Sequence, residues 1–103
     1  MPVTAPGRTE EVDVVDEPRQ ARYGAYVDGA LAGFAQYVLR DGRIVFTHTI
    51  VEDRFEGRGV GSRLAAGALD DVRARDLRVE ARCPFIAGYI ERHPEYRDLL
   101  GPP

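Results

Sequence analysis

Apolar and polar positions change rhythm along this chain. Up to Val51 they alternate in short runs, the period of two that sends successive side chains to opposite faces of a strand. The alternation predicts strands over Glu11–Glu17, Ala21–Val27, Leu31–Leu39 and Arg43–Val51. Asp28-Gly29 and Asp41-Gly42 separate the last three, and both pairs suit the positive dihedrals of a two-residue hairpin turn. After the glycine-rich stretch that follows, Val60, Leu64, Ala65, Ala68, Leu69 and Val72 fall at helical spacing and predict a helix over about Val60–Arg75. Asp71 and Arg75, four apart, are placed to pair on its wet face. Alternation returns over Leu77–Cys83. A strand, a helix and a strand in this order make a crossover, so the last strand should run parallel to its partner. Pro84–Arg92 reads as a short helix with proline in its first turn, ended by Pro94, and Glu95–Leu100 as one final turn.

The elements add up to one α+β domain over residues 11–103: an antiparallel meander, a βαβ crossover and a short C-terminal helix. Residues 1–10, rich in Pro, Gly and Thr, read as a loose tail. A chain of 103 residues with 44% hydrophobic content suits one modest core. The net charge of -3 argues against general nucleic-acid binding. All fourteen basic residues are arginine, so no lysine of this chain is available for modification. No apolar run reaches the roughly 20 residues of a membrane-spanning helix, and the first ten residues lack the apolar centre of a secretion signal. One cysteine and two histidines offer neither an internal disulfide nor a metal-ligand cluster. The expectation is a cytoplasmic protein without membrane or nucleic-acid partners.

The stretch Phe55–Leu64, F-E-G-R-G-V-G-S-R-L, crowds Gly57, Gly59 and Gly61 against a helix start. A dinucleotide fingerprint needs glycine at its first, third and sixth positions; counted from Gly57 the sixth residue is Ser62, from Gly59 it is Leu64. A P-loop needs a lysine, which the chain lacks. The logic of an anion site survives both failures. The first N–H groups of a helix have no intrahelical partner, small residues let a phosphate approach them, and Arg58 and Arg63 add charge. The alternative is a plain strand-to-helix turn.

With H-T-I-V ahead of it, G-R-G-V-G-S-R-L resembles the acetyl-CoA loop of the GNAT superfamily of N-acetyltransferases, Gly59 and Gly61 standing at its two small positions. The loop's first position, Arg or Gln in that pattern, is Glu56 here. The later run C-P-F-I-A-G-Y-I-E-R-H-P-E-Y is similar to the small stand-alone branch of the superfamily. The resemblance covers about Val12 to Leu100. It implies a bent, GNAT-like mixed sheet that splays between the strand before the loop and the strand after the helix. The pantetheine arm of acetyl-CoA would lie in that splay against the backbone of Thr49, Ile50 and Val51. The pyrophosphate would rest on the loop formed by Glu56, Gly57, Arg58, Gly59, Val60, Gly61, Ser62 and Arg63.

Acetyl transfer to an amine must first remove a proton, since a lysine-like amine of pKa about 10.4 is almost wholly protonated at neutral pH. His48, on the strand before the loop, is the candidate base, and strict alternation would put it on one face with Ile44, Phe46 and Ile50. A merely structural edge histidine is the competing assignment. Cys83, before the short helix, is a candidate nucleophile or proton donor, or simply a small buried hydrophobe. Tyr89 stands where the resemblance implies a general acid for the coenzyme thiolate; packing is its other role. His93 and Tyr96 would shape a pocket or anchor the C-terminal turn.

The leading expectation is acetyl-CoA-dependent N-acetyl transfer, directly in a ternary complex, to an amine the sequence does not identify. The rivals are a CoA-binding module with little or no turnover and a plain protein-interaction domain. The sequence is silent on oligomeric state.

Overall fold

The computed structural model describes residues 11–101; the expected tail lies outside the described residues. Five strands form one sheet in sequence order: β1 (Asp13–Glu17), β2 (Arg22–Val27), β3 (Ala30–Arg40), β4 (Arg43–Val51) and β5 (Arg78–Ala81). The first four pair antiparallel, and β5 runs parallel to β4. Helix α1 (Val60–Ala74) makes the β4–β5 crossover, and α2 (Pro84–Arg92) leads into a final 3-10 turn, Pro94–Leu99. The meander closes on the two predicted hairpins. Asp28 and Gly29 have φ of 50° and 80°, Asp41 and Gly42 of 51° and 76°, so all four residues occupy the left-handed region that a twisted two-residue turn requires.

The six apolar positions that predicted α1 are its buried residues, and Gly67 brings the helix close to β1, where a Cβ would meet Val14 at 2.7 Å. Against them lie Tyr23, Ala25, Ala35, Tyr37, Ile44 and Phe46 on the helix-facing side of the sheet. Leu64 and Leu69 are fully buried, each worth about 1.5–3 kcal/mol of transfer energy. The ring of Tyr23 packs 5.5 Å from Tyr37 and 6.2 Å from Phe46. The two phenols reach polar groups at the rim of the core: Tyr23 donates to Asp71, and Tyr37 donates to Asp16. Arg75 then ties both carboxylates together, 3.0 Å from Asp71 as the i, i+4 spacing predicted and 2.6 Å from Asp16 of β1.

The strands are not regular throughout. Gln36 of β3 faces His48 of β4, but Tyr37 faces Phe46, so Thr47 is an extra residue in β4, a β-bulge. Alternation therefore changes phase at Thr47. Ile44 and Phe46 are buried on the helix face, whereas His48 and Ile50 are exposed on the other. The expected common face of Ile44, Phe46, His48 and Ile50 is corrected accordingly.

Candidate active site

The parallel pairing of β4 with β5 stops at Phe46. Its carbonyl accepts the N–H of both Arg82 and Cys83 at 3.0 Å, and the chain then turns into α2. Beyond that point β4 continues for five residues beside β3 alone. The directions of its backbone groups can be read from their neighbours. The N–H of Glu52 donates to Ala32 of β3, and the carbonyl of Ile50 faces Gly33, where a Cβ would meet it at 2.6 Å. Neighbouring residues of a strand point their backbone groups oppositely, so Thr49 and Val51 turn theirs to the edge that β5 has left. This is the splay that the family resemblance implies, with an unpaired strand edge along one wall.

The loop from β4 to α1 holds the other half of the site. A 3-10 turn, Asp53–Phe55, buries Phe55 beneath two guanidinium groups, Arg54 at 4.6 Å and Arg58 at 4.9 Å from its ring centroid. Arg58 is thereby held beside the glycines. Gly57 and Gly59 have φ of 79° and 78°, and Gly59 is the N-cap of α1. The first intrahelical bond runs from Arg63 N–H to the Gly59 carbonyl. The N–H groups of Val60, Gly61 and Ser62 thus have no acceptor within the helix, and no acidic residue stands in the first turn to compete for an anion. Gly61 has a further reason to be small: a Cβ there would meet the Phe85 ring at 2.8 Å. The starts of α1 and α2 are therefore in contact beside the splay.

Across the splay, the Thr49 hydroxyl and the Cys83 thiol lie 3.1 Å apart and share a hydrogen bond. Cys83 is buried and is the N-cap residue of α2. The Thr49 side chain carried no sequence signal, since only its backbone was singled out; it comes to Cys83 because the bulge at Thr47 turns it inward. His48 is turned by the same bulge to the exposed face. Tyr89 is buried and stacks on His93, ring centroids 3.9 Å apart, with Tyr96 at 6.0 Å. Burial raises the Tyr89 phenol pKa, and the nearby carboxylates of Glu95 and Asp70 add to the effect, so the group stays protonated through neutral pH. The fold thus joins Thr49 with Cys83 and the glycine loop with the start of α2. It leaves His48 on the opposite side of β4 and groups Tyr89 with the C-terminal aromatics, where the His93 Nδ1–H donates to the Tyr89 carbonyl and Tyr96 donates to Asp70.

The family model of the GCN5-related N-acetyl-transferase matches residues 22–99, every element from β2 to the final turn. The chain belongs to this N-acetyltransferase family. Protein NATD1 of Xenopus tropicalis and of Homo sapiens is 39% identical to this chain over 57 residues, 53% of the chain and 52% and 50% of those proteins. The chain thus matches about half the length of these curated relatives. A Staphylococcus aureus protein described as GCN5-like, solved by NMR, superposes with a TM-score of 0.66 over 86% of this chain and 87% of its own, at 22% identity. That likeness shows the shared fold, the mostly antiparallel five-stranded sheet of the N-acetyltransferases.

Proposed function

We propose that this N-acetyltransferase family member transfers an acetyl group from acetyl-CoA directly to an amine within a ternary complex. The observation that carries the reading is the unpaired edge of β4 at Thr49 and Val51, running toward the uncapped N–H groups of α1. An extended amide-bearing arm fits such an edge by adding backbone-like hydrogen bonds, and a pyrophosphate fits the start of a helix whose cap glycine has no side chain. Glu56 departs from the family pattern in its side chain only, and the seat is made of backbone.

A bound acetyl-CoA supplies the activated thioester. Around it the residues divide the proton work. His48 takes a proton from the approaching amine on the exposed side of β4. Proton return to the coenzyme thiolate falls to the α2 side, where Cys83 shares its hydrogen bond with the Thr49 hydroxyl; Tyr89, among the C-terminal aromatics, is the donor that the family resemblance implies. The family resemblance favours direct transfer, since the splay presents the thioester to the amine without a covalent relay.

Two measurements test this. Acetyl-CoA at about 100 times its dissociation constant should stabilise the fold by about 2.7 kcal/mol. Thiol release from acetyl-CoA should then depend on an added amine. An unmoved melting temperature would overturn the proposal. A shift with no amine-dependent release would leave a coenzyme-binding module in its place.

A further inference from the structure

The unpaired edge of β4 has an open end and a deep end. At Val51 it leads into the glycine loop and the start of α1; at Thr49 it leads back toward Phe46, the last residue of β4 that pairs with β5. The two residues lie about 7 Å apart, two steps of about 3.3 Å along a strand. A coenzyme whose pyrophosphate sits at the start of α1 and whose arm follows this edge brings its thioester to the Thr49 end. That end is closed. The Phe46 carbonyl takes the N–H of both Arg82 and Cys83 at 3.0 Å, which ends the gap in the backbone. The Thr49 hydroxyl and the Cys83 thiol meet at 3.1 Å and close it between side chains. Cys83 is 3% exposed, and Phe46 and Ile86, the latter one turn along α2, are 0% exposed, so the pair is backed by filled core. The contact of Gly61 with Phe85 braces the start of α2 against α1.

Resting on the transferase reading, we infer that Thr49 and Cys83 are the acyl stop of this site: together they admit an acetyl group on the coenzyme sulfur and reject longer acyl chains. The hydrogen bond holds the two side chains in contact, and their volume does the excluding. An acetyl methyl lies against the pair. Each further methylene has to part the two side chains or enter packed interior, which does not yield at low cost. One methylene against such a wall is worth about 10–200-fold in discrimination. Both side chains are short, so cutting either back to alanine leaves room for a longer chain. A bond that served only to tie β4 to α2 would behave differently: its loss would weaken every form of the coenzyme alike.

The test uses the full chain with CoA, acetyl-CoA, propionyl-CoA and butyryl-CoA, their dissociation constants measured by titration calorimetry with no acceptor present. CoA and acetyl-CoA should bind alike, propionyl-CoA more weakly, and butyryl-CoA at least about tenfold more weakly than acetyl-CoA. Thr49→Ala and Cys83→Ala should each narrow that last ratio to about threefold or less. Thr49→Val, which keeps the volume and loses the hydroxyl, should keep the ratio of the parent. Equal binding of acetyl-CoA and butyryl-CoA by the parent would overturn the inference before any variant is made. So would a ratio unchanged in both alanine variants, or one lost in Thr49→Val as fully as in Thr49→Ala. The same titrations separate this failure from that of the transferase reading. CoA binding without acyl discrimination refutes the stop alone. The expected ratio without amine-dependent thiol release refutes the transfer alone, and no binding of CoA itself overturns both.

Discussion

The hydroxyl of Thr49 and the thiol of Cys83 lie 3.1 Å apart, joining β4 to the start of α2 at the place where β4 and β5 have separated. The hydrogen bond thus links, across the splay, two residues 34 positions apart in the chain. If Cys83 lines the site without becoming acetylated, Cys83→Ser should keep partial activity, because a hydroxyl preserves the contact. Intact-mass spectrometry after mixing with acetyl-CoA alone should show no stoichiometric acetyl adduct. A rapid adduct that passes to added amine would make Cys83 the nucleophile. Thr49→Val should cost about 1 kcal/mol of stability, the usual worth of one neutral hydrogen bond.

Gly59 caps α1 at φ 78°. Gly59→Val should cost about 1–2 kcal/mol for the left-handed conformation and abolish the acetyl-CoA thermal shift, by crowding the N–H groups behind it. A normal shift in a folded Gly59→Val protein would place the pyrophosphate elsewhere.

Gly61 behaves differently because its neighbour is Phe85. Gly61→Val should destabilise the free protein by about 1–3 kcal/mol through overpacking at the α1–α2 contact, even with no coenzyme present. Phe85→Leu in the same molecule should recover part of that loss. Additive losses in the double-mutant cycle would show that the two residues do not meet.

His48→Ala should lower turnover by about 10²–10⁴-fold if the imidazole is the base, with the acetyl-CoA thermal shift unchanged. Its exposure on the face opposite Cys83 makes its loss harmless to the core, so the variant should melt like the parent. An unaltered rate would assign His48 to the surface only.

Tyr37 provides a pH-dependent test of the core. Burial, and the bond it donates to Asp16, push its phenol up to about 12. The folded value lies above the unfolded one of about 10, so this contribution to stability is complete below pH about 10 and is lost as pH rises through about 12. Tyr37→Phe should cost about 1 kcal/mol at neutral pH and flatten the alkaline fall in the urea midpoint. Part of the fall should remain, since burial raises Tyr23 as well. An identical alkaline slope in parent and variant would remove Tyr37 from the account.

Most of the fold was legible along the chain because its causes are local. The left-handed dihedrals of Asp28-Gly29 and Asp41-Gly42 fix two hairpins with residues a few positions apart, and the six apolar positions of α1 mark its buried side without knowledge of what lies beneath. The glycine loop was legible for the same reason: positive φ at Gly57 and Gly59 and the missing intrahelical acceptors are properties of a helix start. The phase change at Thr47 was not. An extra residue in β4 depends on how β3 pairs with it, and a sequence read at strict period two put His48 on the buried side with Phe46 and missed that Thr49 meets Cys83. The second role of Gly61 was hidden likewise, since it rests on Phe85 of another helix. Backbone conformation is set by neighbours in the chain, and the sequence determined it; which side chains share a face, and meet across a gap, is set by strand register and helix packing, and only the tertiary structure decided that.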